Sequence, residues 1–168
     1  TPRRRNVRGS HFTTPAVWQM CAGLTCPHLW YEELNCGLSG SGMEENPYRI
    51  NSCEDFLKFA SDPNYWKYGV YTRLDCNIDL SSCGGTYTAA VISPDMNNAS
   101  PEFNGAVFNG QFDGTGHKIS NLTIINNGEQ NDHLGLFGYV GYDGRITNLI
   151  LQNVCIRSGH NSFYVGAL

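Results

Sequence analysis

Hydrophobic and polar positions are most regularly ordered between Phe108 and Leu168. There the chain reads as short strands with alternating apolar and polar residues, broken by glycine, asparagine or Asp-Gly. Phe108-Asn-Gly-Gln-Phe112 turns at Asp113-Gly114 and leads into Ile119-Ser-Asn-Leu-Thr-Ile124. Twenty-seven residues on, Ile146-Thr-Asn-Leu-Ile-Leu151 repeats the Ile-x-Asn-Leu-x-aliphatic pattern. Leu134-Gly-Leu-Phe-Gly138 lies between them, and thirty-one residues after Leu134 comes Val165-Gly-Ala-Leu168. Two different blocks recurring in one order form an internal repeat, and a period of this size points to a solenoid.

A unit so short cannot bury its own apolar face and must stack on a copy of itself. Strand periodicity then predicts an all-β fold, a right-handed parallel β-helix whose turns stack at about 4.8 Å. In the register the repeat predicts, Ile119 lies over Ile146, Leu122 over Leu149 and Ile124 over Leu151, with Asn121 and Asn148 stacked at a bend. Gly135, Gly138 and Gly166 are expected at corners where a Cβ would collide. An antiparallel β-sandwich shares the alternation and the Asp-Gly turns, but does not explain the ordered recurrence of two blocks.

The upstream segments add one helix. Ser52-Cys-Glu-Asp55 has capping-box spacing, acidic residues fill the first turn, and Phe56, Leu57 and Ala60 fall on one face, so a short helix is predicted around 53–60. Asp62-Pro63 ends it, a further turn is expected at Tyr65-Trp66, and Tyr71–Leu80 reads as a strand before a loop over 81–104. Three divisions follow: an irregular basic segment over 1–15, the end of a preceding unit with a Gly/Ser linker over 16–41, and the β-helix unit over 42–168. The apolar Phe163–Leu168 stops in mid-pattern and the chain begins without methionine, so a piece of a longer protein is expected.

Charge narrows the partners. Net charge is −4, but Arg3, Arg4, Arg5 and Arg8 crowd the start, leaving seven basic against fifteen acidic residues in the body. An acidic body argues against nucleic acid, and no stretch is long and apolar enough to span a membrane. The seven cysteines contain no C-x-x-C and no zinc-knuckle spacing. Cys76 and Cys83 are candidates for a bridge across one loop, and Cys155 alternates like a buried strand thiol.

The carboxylates and histidines carry little chemistry. Asp113 and His117 are four apart and form a candidate acid/base pair, although Asp113-Gly114 reads as a turn with His117 flanking the next strand. Asp79, Asp113 and Asp143 are candidate glycosidase carboxylates by type alone; turns are the ordinary use of such aspartates. His11, His28, His117, His133 and His160 form no H-E-x-x-H motif, and no P-loop, dinucleotide or G-x-S-x-G fingerprint occurs. Asp75 with Asp79, or Asp132 with Asp143, are candidate calcium ligands by type, but their spacing matches no EF-hand or nonapeptide calcium repeat. Neither a metal, a cofactor nor a catalytic residue is therefore expected. Asn98-Ala-Ser100 and Asn121-Leu-Thr123 match the glycosylation sequon, with Asn121 at a ladder position where a glycan would not fit.

The chain resembles the GLUG-motif β-helix proteins. Gly135-Leu-Phe-Gly138 is the namesake block, and Gly166-Ala-Leu168 a weaker copy. Phe108–Leu122 is similar to the family's F-x-G-x-F-D-G-x-G-H-x-I-x-N-L run, Gly42–Ile50 to its first strand with Met43 replacing a small residue, and Tyr71–Leu80 to its L-x-x-D-I-D-L strand. Trp18–Cys21 and Pro27–Trp30 look like the close of a preceding tandem unit. The resemblance spans about residues 16–168. It implies a bacterial, secreted or surface-attached scaffold or adhesive module, with variable loops (81–104 and 126–133) meeting a protein, a polysaccharide or neighbouring repeats. The alternative is a carbohydrate-active β-helix enzyme or polysaccharide-binding module, with Tyr139, Tyr142 and Tyr164 lining a sugar groove. Converging carboxylates in a groove would favour the enzyme; aromatics stacked inside the coil would favour the scaffold.

Overall fold

The named strands of residues 37–168 all pair in parallel. The structure, a computed structural model, describes residues 18–20, 27–29, 37–97, 102–126, 131–160 and 162–168. The chain divides into two units, Thr1–Cys36 and Gly37–Leu168. In the first, β1 (Trp18–Met20) pairs antiparallel with β2 (Pro27–Leu29); the segment 1–15 lies outside the described residues.

The second unit opens with β3 (Tyr48–Ile50), helix α1 (Cys53–Ser61) and a 3-10 turn over Pro63–Trp66. The chain then passes through three sheets, in the same order, three times. The first circuit is β4 (Tyr71–Leu74), β5 (Ile78–Asp79) and β6 (Thr86–Tyr87), with the single helical turn α2 (Leu80–Cys83) after β5. The second is β7 (Gln111–Asp113), β8 (Lys118–Ser120) and β9 (Thr123–Ile125). The third is β10 (Arg145–Thr147), β11 (Ile150–Gln152) and β12 (Cys155–Arg157). Sheet 1 is β10-β7-β4-β3, sheet 2 is β11-β8-β5 and sheet 3 is β12-β9-β6. A fourth ladder joins residues around Ile92 to the Gly-Leu-Phe-Gly block, with Ile92 bridged to Phe137 and Leu134 to Val165.

The register corrects the expected stacking. Ile119 pairs with Leu151, Ile124 with Ile156 and Phe112 with Ile146. Ile119 and Ile146 belong to different sheets. The Ile-x-Asn-Leu pattern occurs at the β8–β9 and β10–β11 corners, with Leu151-Gln-Asn-Val154 as a variant at β11–β12, so comparing residues 119 and 146 compares one sheet with the previous one. Asn121 accordingly meets Asn153, not Asn148, with Asn153 Nδ2 donating to Asn121 Oδ1 at 3.2 Å. Asn121, Asn148 and Asn153 all adopt φ between 51° and 58°, the left-handed bend that asparagine tolerates and β-branched residues do not.

The core runs up the inside of the three sheets. Ile78, Phe112, Ile119, Leu122 and Ile124 are buried, and so are Ile92, Leu136 and Phe137. Phe59, Phe108, Phe112 and Phe137 form a ring cluster with centroids 4.9–6.3 Å apart. Helix α1 closes one end of this core. Ser52 caps it, Oγ accepting from Asp55 N at 3.1 Å, and Phe56 and Phe59 turn inward. Trp66 Nε1 donates to the Phe59 carbonyl at 2.8 Å and pins the following turn. The predicted strand 71–80 is split, since Asp75–Asn77 round a corner between β4 and β5.

The disulfide is also a correction: Cys83 pairs with Cys53 rather than with Cys76, which is a thiol. The bridge has a Cα–Cα distance of 6.0 Å and ties α1 to α2 across thirty residues, a loop whose closure stabilises by about 3–4 kcal/mol in the chain-entropy picture. Cys155, expected to be buried, is exposed, because Ile156 takes the inward position in β12.

Two of the three corner glycines are required by close approach. A Cβ on Gly138 would meet the Ser93 carbonyl oxygen at 2.2 Å, and one on Gly135 would meet the Gly166 carbonyl oxygen at 2.9 Å. Gly166, by contrast, would meet its nearest atom, Leu168 O, at an ordinary 3.5 Å. Gly138→Ala is therefore expected to lower the urea-unfolding free energy by about 2–3 kcal/mol, and Gly166→Ala to change it by less than about 0.5 kcal/mol.

Candidate functional site

Parallel register determines which polar side chains share a surface. Phe112 and Ile146 face the core from β7 and β10, so their strand neighbours face out. On the outside of sheet 1, Tyr71, Gln111 and Arg145 form one row, and Arg49, Arg73, Asp113 and Thr147 form a second. A tight turn beside them, held by Ser41 N donating to Asn46 O at 3.0 Å, carries Glu44 and Glu45. The turn joins the sheet where Tyr71 N donates to Gly42 O at 2.9 Å. Wall and floor enclose a cleft of about 370 Å³, lined by Glu44, Glu45, Tyr71, Arg73, Gln111, Asp113, Arg145 and Thr147 among others.

Several polar groups on this face are already engaged. Asp75 holds Arg49 at 2.5 Å and Arg73 at 2.6 Å, so one carboxylate bridges two guanidinium groups set directly opposite each other. Asp113 Oδ1 accepts from Thr115 N at 2.9 Å and from Asn148 Nδ2 at 3.0 Å. Gln111 Nε2 donates to Asp143 O at 3.0 Å. The Glu44 carboxylate, helped by burial, pushes the Tyr71 hydroxyl above its ordinary value; that hydroxyl donates to Glu44 Oε2 at 3.4 Å. Arg145 is exposed and ion-paired with no described residue.

The residues nominated from the sequence are dispersed. Asp113 and His117 sit on one corner, closed by His117 N donating to Gly114 O at 2.8 Å, but His117 does not line the cleft that Asp113 lines. Asp79 caps α2 and accepts from Ser81 Oγ at 2.7 Å and Asn121 Nδ2 at 2.8 Å. Asp143 belongs to the turn between Gly141 and Gly144. Asp132 is buried, with Oδ1 accepting from Phe163 N at 2.6 Å. No cluster of three or more His, Cys, Asp or Glu that could hold a metal occurs among the described residues. His11 lies outside them, as does Asn98. The Asn121 amide is occupied on both sides by Asp79 and Asn153. Of the three tyrosines, Tyr139 and Tyr164 gather with Phe103 around the buried His133, while Tyr142 stands fully exposed elsewhere. The pairing of Arg49 with Arg73, and the place of Arg145 in the neighbouring row, were missed, although each arginine directly precedes an inward aliphatic residue, Ile50, Leu74 or Ile146.

Comparison with known proteins gives distant likeness. No family model and no solved structure matches the chain. It is 34% identical over 130 residues to halomucin from Haloquadratum walsbyi, covering 73% of this chain and 1% of halomucin. It is 31% identical over 130 residues to a "Putative Gly-rich membrane protein" of Evansella cellulosilytica, covering 77% of this chain and 14% of that protein. The chain thus spans a small fraction of either relative. No helix among the described residues is long and apolar enough to cross a membrane.

The Asp79 ladder gives a pH prediction. Hydrogen bonds from Ser81 first, then Asn121, hold its carboxyl below the ordinary 3.8. A lowered folded value means the carboxylate's contribution is complete above 3.8 and lost as pH falls through the folded value. Asp79→Asn should therefore lower the urea midpoint at neutral pH, and the gap from wild type should close below pH 3.8.

Proposed function

We propose that residues 37–168 form the capped end of a right-handed parallel β-helix of the GLUG-motif kind, serving as a non-catalytic scaffold or adhesive module outside the cell. The observation that carries this reading is the use of the aromatic residues. Phe59, Phe108, Phe112 and Phe137 pack against one another inside the three sheets, where they stabilise stacking and meet no substrate.

The two ends of the stack support an array. Helix α1 covers the core beside β3, and the disulfide fastens it there. At the other end β10, β11 and β12 each have one named strand partner, and Ile146, Leu151 and Ile156 are only partly covered. Further circuits of the parent chain would complete those ladders. A bridge between Cys53 and Cys83 suits an oxidising compartment. Surface location is also favoured by the relatives' names, a mucin-like word for one and a membrane protein for the other.

The test is accessibility on intact cells that make the parent protein. Antibody against residues 37–168 should label unpermeabilised cells, and external protease should remove the signal. Labelling that requires permeabilisation would overturn the reading.

A further inference from the structure

We propose that the cleft on the outer face of sheet 1 binds an acidic saccharide, with Arg145 taking its carboxylate. Five features that could have cancelled one another instead leave a polarised site. Asp75 pairs with both Arg49 and Arg73, cancelling one of their two positive charges, and fixes Arg73 in the floor. Asp113 is anchored through Oδ1 alone, leaving Oδ2 for an outside donor among the described residues. Gln111 is held through its Nε2, so its carbonyl oxygen stays available. Glu44 and Glu45 stand on the wall, and Arg145, unpaired among the described residues, stands two strands from Tyr71 in the same row.

That arrangement selects chemistry. The cleft offers uncommitted acceptors and a hydroxyl (Glu45, Gln111, Asp113, Thr147) to a ligand rich in hydroxyl groups, an aromatic surface at Tyr71, and a guanidinium at one end. A guanidinium grips a carboxylate through two parallel N–H donors. The glutamates repel negative charge from the other end, so a ligand with a carboxylate at one place and hydroxyls elsewhere fits in one orientation. A run of carboxylates, as in an acidic peptide, would place some of them against Glu44 and Glu45. A uronic-acid sugar meets the pattern. The site stands independently of the array reading: stacking without sugar binding would remove this proposal alone.

The experiment is calorimetric titration of the whole chain with a tetrasaccharide carrying a single uronic acid among neutral sugars, the same sugar methyl-esterified, and a tetrapeptide of glutamates. Saturable binding of the acidic sugar is expected, at least tenfold tighter than the ester or the peptide. Arg145→Gln should weaken the acidic sugar at least tenfold and leave the ester unchanged, with Arg145→Lys between the two. Tyr71→Ala should weaken both sugars. Arg157→Gln, on the outside of sheet 3, should change nothing. Circular dichroism of each variant checks that the fold is kept. Absence of saturable binding at millimolar sugar overturns the proposal. So does equal loss in the Arg145 and Arg157 variants, which marks diffuse attraction, or peptide binding as tight as that of the sugar.

Discussion

A strand of three residues satisfies its backbone groups only if another strand lies on each side. In this protein those partners come from the preceding and following circuits, in parallel and in register. β7, β8 and β9 have neighbours on both sides, and Phe112, Ile119 and Ile124 between them are buried. The same ladder aligns the outward residues, so the register that fills the core also builds the sheet 1 cleft. Core and cleft are two faces of one pairing.

The circuits tolerate unequal lengths because additions fall at corners. Ile146, Leu151 and Ile156 succeed one another at intervals of five residues, the tightest circuit. Phe112 and Ile119 are seven apart, the extra residues lying in the Asp113–His117 corner. There Thr115 Oγ1 donates back to the Leu74 carbonyl of the preceding circuit, so the addition is itself tied to the stack. Between β5 and β6 the addition is α2, which carries the cysteine that secures the α1 cap. An insertion thereby gained a structural task without disturbing the ladders.

Local features were legible in the sequence where one residue type had one physical use. The α1 cap, its inward Phe56 and the Asp62-Pro63 stop follow from local sterics and hydrogen bonding, whereas the close approach of Gly138 to the Ser93 carbonyl was legible only through the repeat. The parallel sheets followed from the recurrence of two blocks. The phase of that recurrence did not. Ile-x-Asn-Leu serves corners between different pairs of sheets alike, and nothing in a five-residue step says which sheet it belongs to. The Cys53–Cys83 bridge was hidden for a related reason: it joins α1 to an insertion, and neither element belongs to the repeat. The cleft was hidden because its two arginines, Arg73 and Arg145, come from different strands 72 positions apart in the sequence. Asp113 lines the cleft, and its carboxylate holds the corner where the Asp-Gly pair reads as a turn.

Register is the claim on which these points rest, and one introduced cysteine reads it. Thr123 pairs with Cys155 across β9 and β12, beside the inward Ile124 and Ile156. In a Cys76→Ser background, Thr123→Cys followed by mild oxidation and peptide mapping should give a bridge between position 123 and Cys155, with Cys53–Cys83 kept. The twenty-seven-residue alternative would instead set Cys155 against position 128. A bridge from Cys155 to Gly128→Cys, with none to position 123, would contradict the stacking described here.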